Sequence, residues 1–130
     1  MYHIIVIGLP CSGKTYLSKK YKDTHIIYDD FLDSFSNGKL VNNLKHTNIF
    51  ASDPRLCNKL IFDEYIRQFF SPSNTKLILF ENDPEACILN INDRPNKDKW
   101  INTIHNFSKI YSLDNYDGYF TQLHKVYKHI

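Results

Sequence analysis

The chain has 130 residues, 15% of them aromatic and 42% hydrophobic, with a formal charge of +2. Such a length holds one domain with a real core and no second one, the composition excludes a disordered chain, and the mild charge does not by itself announce a nucleic-acid partner. No apolar run approaches the roughly 20 residues of a membrane span, and three cysteines without ligand spacing, Cys11, Cys57 and Cys87, read as reduced thiols of a cytoplasmic protein.

Strand and helix patterns alternate from end to end, which predicts a parallel sheet covered by helices. His3–Ile7 predicts a first strand buried on both faces, entered with no signal peptide ahead of it. Lys14–Lys22 predicts a helix with Leu17 and Tyr21 one turn apart on its inner face. His25–Tyr28 predicts a short second strand ending at Asp29-Asp30, and a helical turn through Phe31, Leu32 and Phe35 is expected to stop near Asn37-Gly38. Lys39–His46 is polar and without period, and Asn48–Ala51 predicts a third strand. Asp53-Pro54 combines an N-cap with a proline at the first helical position. The helix it opens carries Leu56, Leu60, Ile61, Tyr65 and Phe69 and breaks at Ser71–Asn74. Lys76–Phe80 is a fourth strand, and Asp83-Pro84 repeats the capping device ahead of Cys87, Ile88 and Ile91. Asn92–Lys99 is a polar connector and Trp100, Ile104, Phe107 and Tyr111 mark a further helix. Asp114–Gly118 reads as a loop, and the tail through Val126 and Ile130 is a candidate fifth strand.

Between the first strand and the first helix stands Gly8-Leu9-Pro10-Cys11-Ser12-Gly13-Lys14-Thr15, a full G-x-x-x-x-G-K-[ST] pattern in the context that gives it meaning. Its glycines let backbone N–H groups curl round an anion, Lys14 supplies a point charge for phosphates, and the Thr15 hydroxyl is placed to ligate Mg²⁺. The expected nucleotide contacts are Gly8, Pro10, Cys11, Ser12, Gly13, Lys14, Thr15 and Tyr16, with a nucleoside triphosphate and Mg²⁺ as the ligands.

Ligands of such sheets gather at the carboxyl ends of the strands, and polar residues stand at those ends here. Asp29-Asp30 offers a carboxylate that could take the proton of an attacking hydroxyl, or a helix cap, and strand alternation turns only one of the two towards the site. Asp53 is placed to hold Mg²⁺ through water, to cap the helix at Pro54, or both. Arg55 reads as a surface ion pair or as a phosphate contact. Asn90 and Arg94 are four apart on one predicted helix face, and Arg94 begins a connector from which it could neutralise a transferring phosphoryl group. Two hydrolysing classes lack their marks. A GTPase base reader Asn-Lys-x-Asp is missing, because Asn96-Lys97-Asp98 has its aspartate one place early. A motor's water-polarising glutamate is missing as well, because Pro54 and Arg55 follow Asp53.

The order and spacing of Gly8–Thr15, Tyr28-Asp29-Asp30-Phe31, the strand ending at Asp53 and the segment ending at Arg94 resemble the kinase domain of bacteriophage-type 5′-polynucleotide kinases across nearly the whole chain. That resemblance implies a three-layer P-loop fold, α/β, with a five-stranded parallel sheet in the order 2-3-1-4-5 and helices on both faces. It implies Asp29 as general base, Asp53 as the acid ending strand three, and Arg94 as the lid arginine. The catalytic set is then Lys14, Asp29 and Arg94, the metal set Thr15 and Asp53, and the candidate substrate contacts Asp30 and Arg55. Three departures bear on the acceptor rather than the nucleotide. Cys11 stands where that family has glycine, Leu32 where it has a substrate-binding arginine, and Arg94 is nearly alone in its lid beside Lys97 and Lys99.

The expectation is one kinase domain over 1–130 with a short lid around 92–99. It would hand the γ-phosphate of ATP to a hydroxyl acceptor, foremost the 5′-hydroxyl of a nucleic-acid end, as a viral or phage protein in the host cytoplasm, with no membrane partner. A nucleoside, nucleotide or metabolite kinase and a non-catalytic ATP-binding regulatory module are the alternatives. Lys39, Lys45 and His46 are candidates for touching a phosphate backbone, although a solvated face is the favoured reading of the three.

Overall fold

A computed structural model of the chain describes residues 2–36, 44–92 and 94–128. Its centre is β1, His3–Ile7, whose five residues are all buried because a strand lies on each edge and side chains cover each face. The sheet runs β2-β3-β1-β4-β5, all parallel, with β2 at Ile26–Asp29, β3 at Ile49–Ser52, β4 at Thr75–Phe80 and β5 at Phe120–His124. Ile5 of β1 sits level with Ala51 of β3 on one side and Leu77 of β4 on the other. The chain leaves β1 towards the β3 and β2 side and later returns to the β4 and β5 side. The carboxyl end of β1 is therefore the switch point where a ligand crevice forms.

The helices are short, and local hydrogen bonding explains why. Helix α1 spans Lys14–Ser18 and not the expected Lys14–Lys22. The Ser18 hydroxyl donates to the Thr15 carbonyl at 2.6 Å, and Lys20 and Tyr21 donate to carbonyls three residues back, so the chain tightens into turns. Leu17 is buried and the Tyr21 ring stacks on Phe50 of β3 at 5.1 Å, as the expected inner face requires. Helix α2 covers Phe31–Ser36, and its expected stop at Asn37-Gly38 lies outside the described residues, as does Lys39.

The single long helix expected after Asp53 is three pieces: a 3₁₀ turn Pro54–Cys57, helix α3 at Lys59–Phe62 and a π turn Asp63–Arg67. Asn58 divides them. Its backbone is extended and its side chain accepts from the N–H groups of Leu60 and Ile61, so it restarts the helix as a second N-cap. Helix α4 spans Pro84–Leu89, capped by Asp83 as expected. Asn90 closes α4 and Arg94 lies beyond it, so the two do not share a helix face. Helix α5, Lys97–Ile110, takes up the last three residues of the expected connector. The fifth strand precedes the predicted tail. Val126 follows it as a buried residue whose N–H donates to Glu81, and Tyr127 turns back to the loop after β1. No helix among the described residues is long and apolar enough to cross a membrane.

Candidate phosphate-transfer site

The loop after β1 is shaped by three backbone features. Cys11 and Gly13 both have left-handed φ, 66° and 106°, and the Ser12 N–H donates to the Leu9 carbonyl at 3.2 Å. Gly13 has no alternative residue, because a Cβ there would lie 2.4 Å from the Tyr127 ring in addition to the strain of its φ. Cys11 carries a side chain in a region that favours glycine, and its surroundings hold it there. Its carbonyl accepts from Asn90 Nδ2 at 2.9 Å and its Sγ faces Arg94 Nη1 at 3.4 Å. Burial pushes the Cys11 thiol up, partly opposed by Arg94 and Lys14, so it is a packing thiol rather than a thiolate.

Lys14 is buried and reaches back over the loop. Its Nζ donates to the Gly8 carbonyl at 2.9 Å, the Leu9 carbonyl at 2.6 Å and the Ser12 hydroxyl at 3.3 Å. Burial lowers its pKa, a cost that an anion arriving in the cradle would remove. Thr15 and Tyr16 are exposed beside it, and Thr15 lines both adjoining cavities. The larger, about 510 Å³, lies between Tyr16, Lys19, Asn90, Ile91 and Arg94. The smaller, about 210 Å³, runs from Lys14 and Thr15 to Asp30, Pro54 and Trp100. Arg94 borders both, its guanidinium 5.2 Å over the Trp100 ring.

The two aspartates at the end of β2 separate as alternation demands. Asp29 continues the strand level with Ser52 and accepts from its hydroxyl at 3.2 Å. Asp30 turns at a left-handed φ of 49° and lines the smaller cavity with Lys14 and Arg94. Burial first, and then the charge of Asp53, raise the pKa of Asp30. The catalytic set expected from sequence thus has Lys14 and Arg94 at one cavity, with Asp30 rather than Asp29 beside them.

Asp53 is fully enclosed, its side chain 0% exposed, and its oxygens are supplied from within the chain. Oδ1 accepts from the backbone N–H and Nε of Arg55, both at 2.9 Å, while Oδ2 accepts from Nη2 at 2.7 Å and from the Leu32 N–H at 3.3 Å. Arg55 Nη2 also reaches Asp33 at 3.1 Å. The hydrogen bonds to Asp53 hold the guanidinium protonated above its ordinary range. Asp53 therefore caps Pro54–Cys57 and clamps Arg55; of the two readings of Arg55, an ion pair or a phosphate contact, its guanidinium makes the ion pair, with Asp53 and Asp33.

The loop fits a triphosphate on its own geometry, through the tight Gly13 cradle and the enclosed Lys14 ammonium. Magnesium fits through Thr15, whose hydroxyl is open to the cavity, together with phosphate oxygens and water. Among the described residues no group of three His, Cys, Asp or Glu could hold a metal unaided, and Asp53 is already saturated by N–H donors. Sequence reading missed Tyr127, whose N–H donates to the Ser12 carbonyl at 3.1 Å and whose ring meets Tyr16 at 4.7 Å. It also missed Trp100 as a wall of the site, having used it only as a helix core position.

Three comparisons with known proteins frame this geometry. No family model matches the chain. A gluconokinase from Sinorhizobium meliloti 1021 is similar in structure with a TM-score of 0.68 at 11% identity, over 98% of this chain and 83% of that one, and so shares its fold. An uncharacterized protein of Acanthamoeba polyphaga mimivirus is 38% identical over 133 aligned positions, covering 96% of each chain. The chain belongs to one family with this mimivirus protein.

Proposed function

We propose that the protein is an ATP-dependent kinase that transfers the γ-phosphoryl group to a hydroxyl of a second substrate. The observation that carries the reading is the convergence of Lys14, Thr15, Arg94 and Asp30 on one cavity of about 210 Å³ at the end of β1. Bound ATP would supply the transferable phosphoryl group, and Mg²⁺ beside Thr15 would offset its charge. Lys14 and the loop amides fix the phosphate chain, so that the acceptor meets phosphorus in line. Asp30 accepts the acceptor's proton as that oxygen's bond to phosphorus forms and the bond to the leaving diphosphate breaks. Its raised pKa suits a base, since a carboxylate in the ordinary range would be a weaker one. Arg94, in the segment between α4 and α5, lies where negative charge spreads in the transition state. A shared fold with a protein named a gluconokinase supports the class without supplying the acceptor.

The test is transfer of labelled γ-phosphate from ATP to a panel of hydroxyl compounds. A 5′-hydroxyl oligonucleotide belongs on it because of the resemblance to polynucleotide kinases, beside nucleosides, sugars and polyols. Asp30→Asn should lower transfer about 10²- to 10⁴-fold with ATP affinity nearly unchanged, as for loss of a general base. Intact ATP binding with no label on any acceptor overturns the kinase reading. Equal loss from Asp29→Asn with little from Asp30→Asn moves the base one residue back.

A further inference from the structure

Polar contacts tie the phosphate loop to two segments distant in sequence, and Asn90 stands at their junction. This residue closes α4, is buried, and commits its amide nitrogen to two carbonyls, those of Cys11 at 2.9 Å and Tyr127 at 2.6 Å. An amide nitrogen carries two N–H donors, so both are engaged. The Tyr127 N–H in turn donates to the Ser12 carbonyl at 3.1 Å, which closes a ring through Asn90, Cys11, Ser12 and Tyr127. In a planar trans peptide the N–H points opposite to the carbonyl of the same unit. With the Cys11 and Ser12 carbonyls drawn towards Asn90 and Tyr127, the N–H groups of Ser12 and Gly13 are turned the other way. That of Ser12 meets the Leu9 carbonyl within the loop. The ring thus sets the curl of the loop from behind. That curl includes Cys11 at a φ of 66°, a left-handed backbone that glycine adopts freely and a residue with a Cβ adopts under strain. A second hold on Cys11, from Arg94 Nη1 to Sγ at 3.4 Å, is exposed and ends on a weak sulfur acceptor. The hold from Asn90 comes from a buried donor onto a carbonyl.

We infer that Asn90 is a positioning residue for the nucleotide: it keeps Cys11 left-handed, so that the loop is curled for a phosphate chain before the nucleotide arrives. Without Asn90, Cys11 relaxes to an ordinary φ and binding has to return it, which weakens the affinity of a site that is otherwise intact. The inference rests on the nucleotide half of the kinase reading, and binding tests it without any transfer step.

The experiment is a double-variant cycle of Asn90→Ala and Cys11→Gly, singly and together. Calorimetry gives Kd for Mg²⁺-ATP and for tripolyphosphate, below the melting transition of each variant. Asn90→Ala should weaken both ligands alike by about five- to thirtyfold, the strain of one left-handed residue expressed as an equilibrium. In the Cys11→Gly background the same change should weaken them by about threefold or less, because glycine returns to the turn without strain. Equal loss in the two backgrounds overturns the inference, since a direct nucleotide contact or a general loosening of the fold does not depend on the residue at position 11. Loss for ATP with tripolyphosphate unchanged also overturns it, by showing that Asn90 meets the nucleoside rather than shaping the loop. Asn90→Ser, which leaves a smaller gap and a hydroxyl, repeats the cycle if Asn90→Ala does not fold, with the same ordering and a smaller loss expected. The expected binding pattern without transfer to any acceptor removes the kinase reading and leaves Asn90 in its role. A wild-type chain that binds neither ATP nor tripolyphosphate overturns both.

Discussion

Replacing Arg55 with alanine tests the central pairing of the site. Asp53 has a side chain with 0% exposure, and the substitution removes its Nε and Nη2 donors at 2.9 and 2.7 Å. Stranding one member of a buried ion pair costs about 3–5 kcal/mol. Two features reduce that here. The backbone N–H groups of residue 55 and Leu32 still donate to the carboxylate, and Arg55 is 41% exposed, so its departure admits water. The expected loss is about 2–3 kcal/mol, a large share of the ~5–15 kcal/mol that stabilises an ordinary domain. For a chain of this length that lowers Tm by about 6–15 °C.

Urea titration with an unchanged m-value and a lower midpoint is the measurement. Two companions make it specific. Asp33→Ala breaks an exposed contact and should cost no more than ~1 kcal/mol. Asp53→Asn combined with Arg55→Ala leaves no buried charge to strand, so the double variant should be more stable than Arg55→Ala alone. A loss under about 1 kcal/mol from Arg55→Ala, or a double variant no better than the single, would show that the pair is not what encloses Asp53.

Gly13→Ala should lose about 1–2 kcal/mol from its left-handed backbone alone, with nucleotide affinity falling further as the new Cβ displaces the Tyr127 ring from 2.4 Å. Full ATP affinity in this variant would refute the tight cradle. The acid limb of kcat/KM should lie above the ordinary aspartate value of about 3.9, because Asp30 must be deprotonated to accept a proton and its pKa is raised by burial and by Asp53. Activity therefore rises with pH through that limb, and a limb in the ordinary range removes Asp30 from the role. Tyr111→Phe strips the hydroxyl that donates to the carbonyls of Phe80 and Ile7, at the ends of β4 and β1. It should cost about 1–2 kcal/mol in urea titration, and a neutral result would mean that water replaces the phenol.

The sheet was legible because its signals are local and repeated. Uniform apolar runs gave β1 and β4 within a residue of their ends, alternating strand and helix patterns gave a parallel sheet, and the strand order came from the resemblance to polynucleotide kinases. The errors fall where one side chain redirects the backbone. Asn58 restarts a helix that a periodic reading carries straight through, and Ser18 bends one that the same reading extends to Lys22. The fifth strand was placed too late because Phe120 and Leu123 are exposed edge residues at 68% and 65%, so burial does not mark the strand out.

The site divides along the same physical line. The loop Gly8–Thr15 could be read residue by residue because each position answers to its neighbours and to one anion. Asp53 and Arg55 could not, since the same two residues suit a metal-holding acid with a free phosphate reader or a closed ion pair. Only the pairing distances decide between these, and distances of 2.7 and 2.9 Å decide for the pair. Arg55 held by Asp53 and Asp33 is closed to a phosphate, and of the carboxylates at these strand ends Asp30 is the one that lines the cavity, with Lys14 and Arg94. Donor chemistry in this chain is thus written in a motif. The Arg55 clamp is written in no motif, and Asp33→Asn is the smallest change that should loosen it.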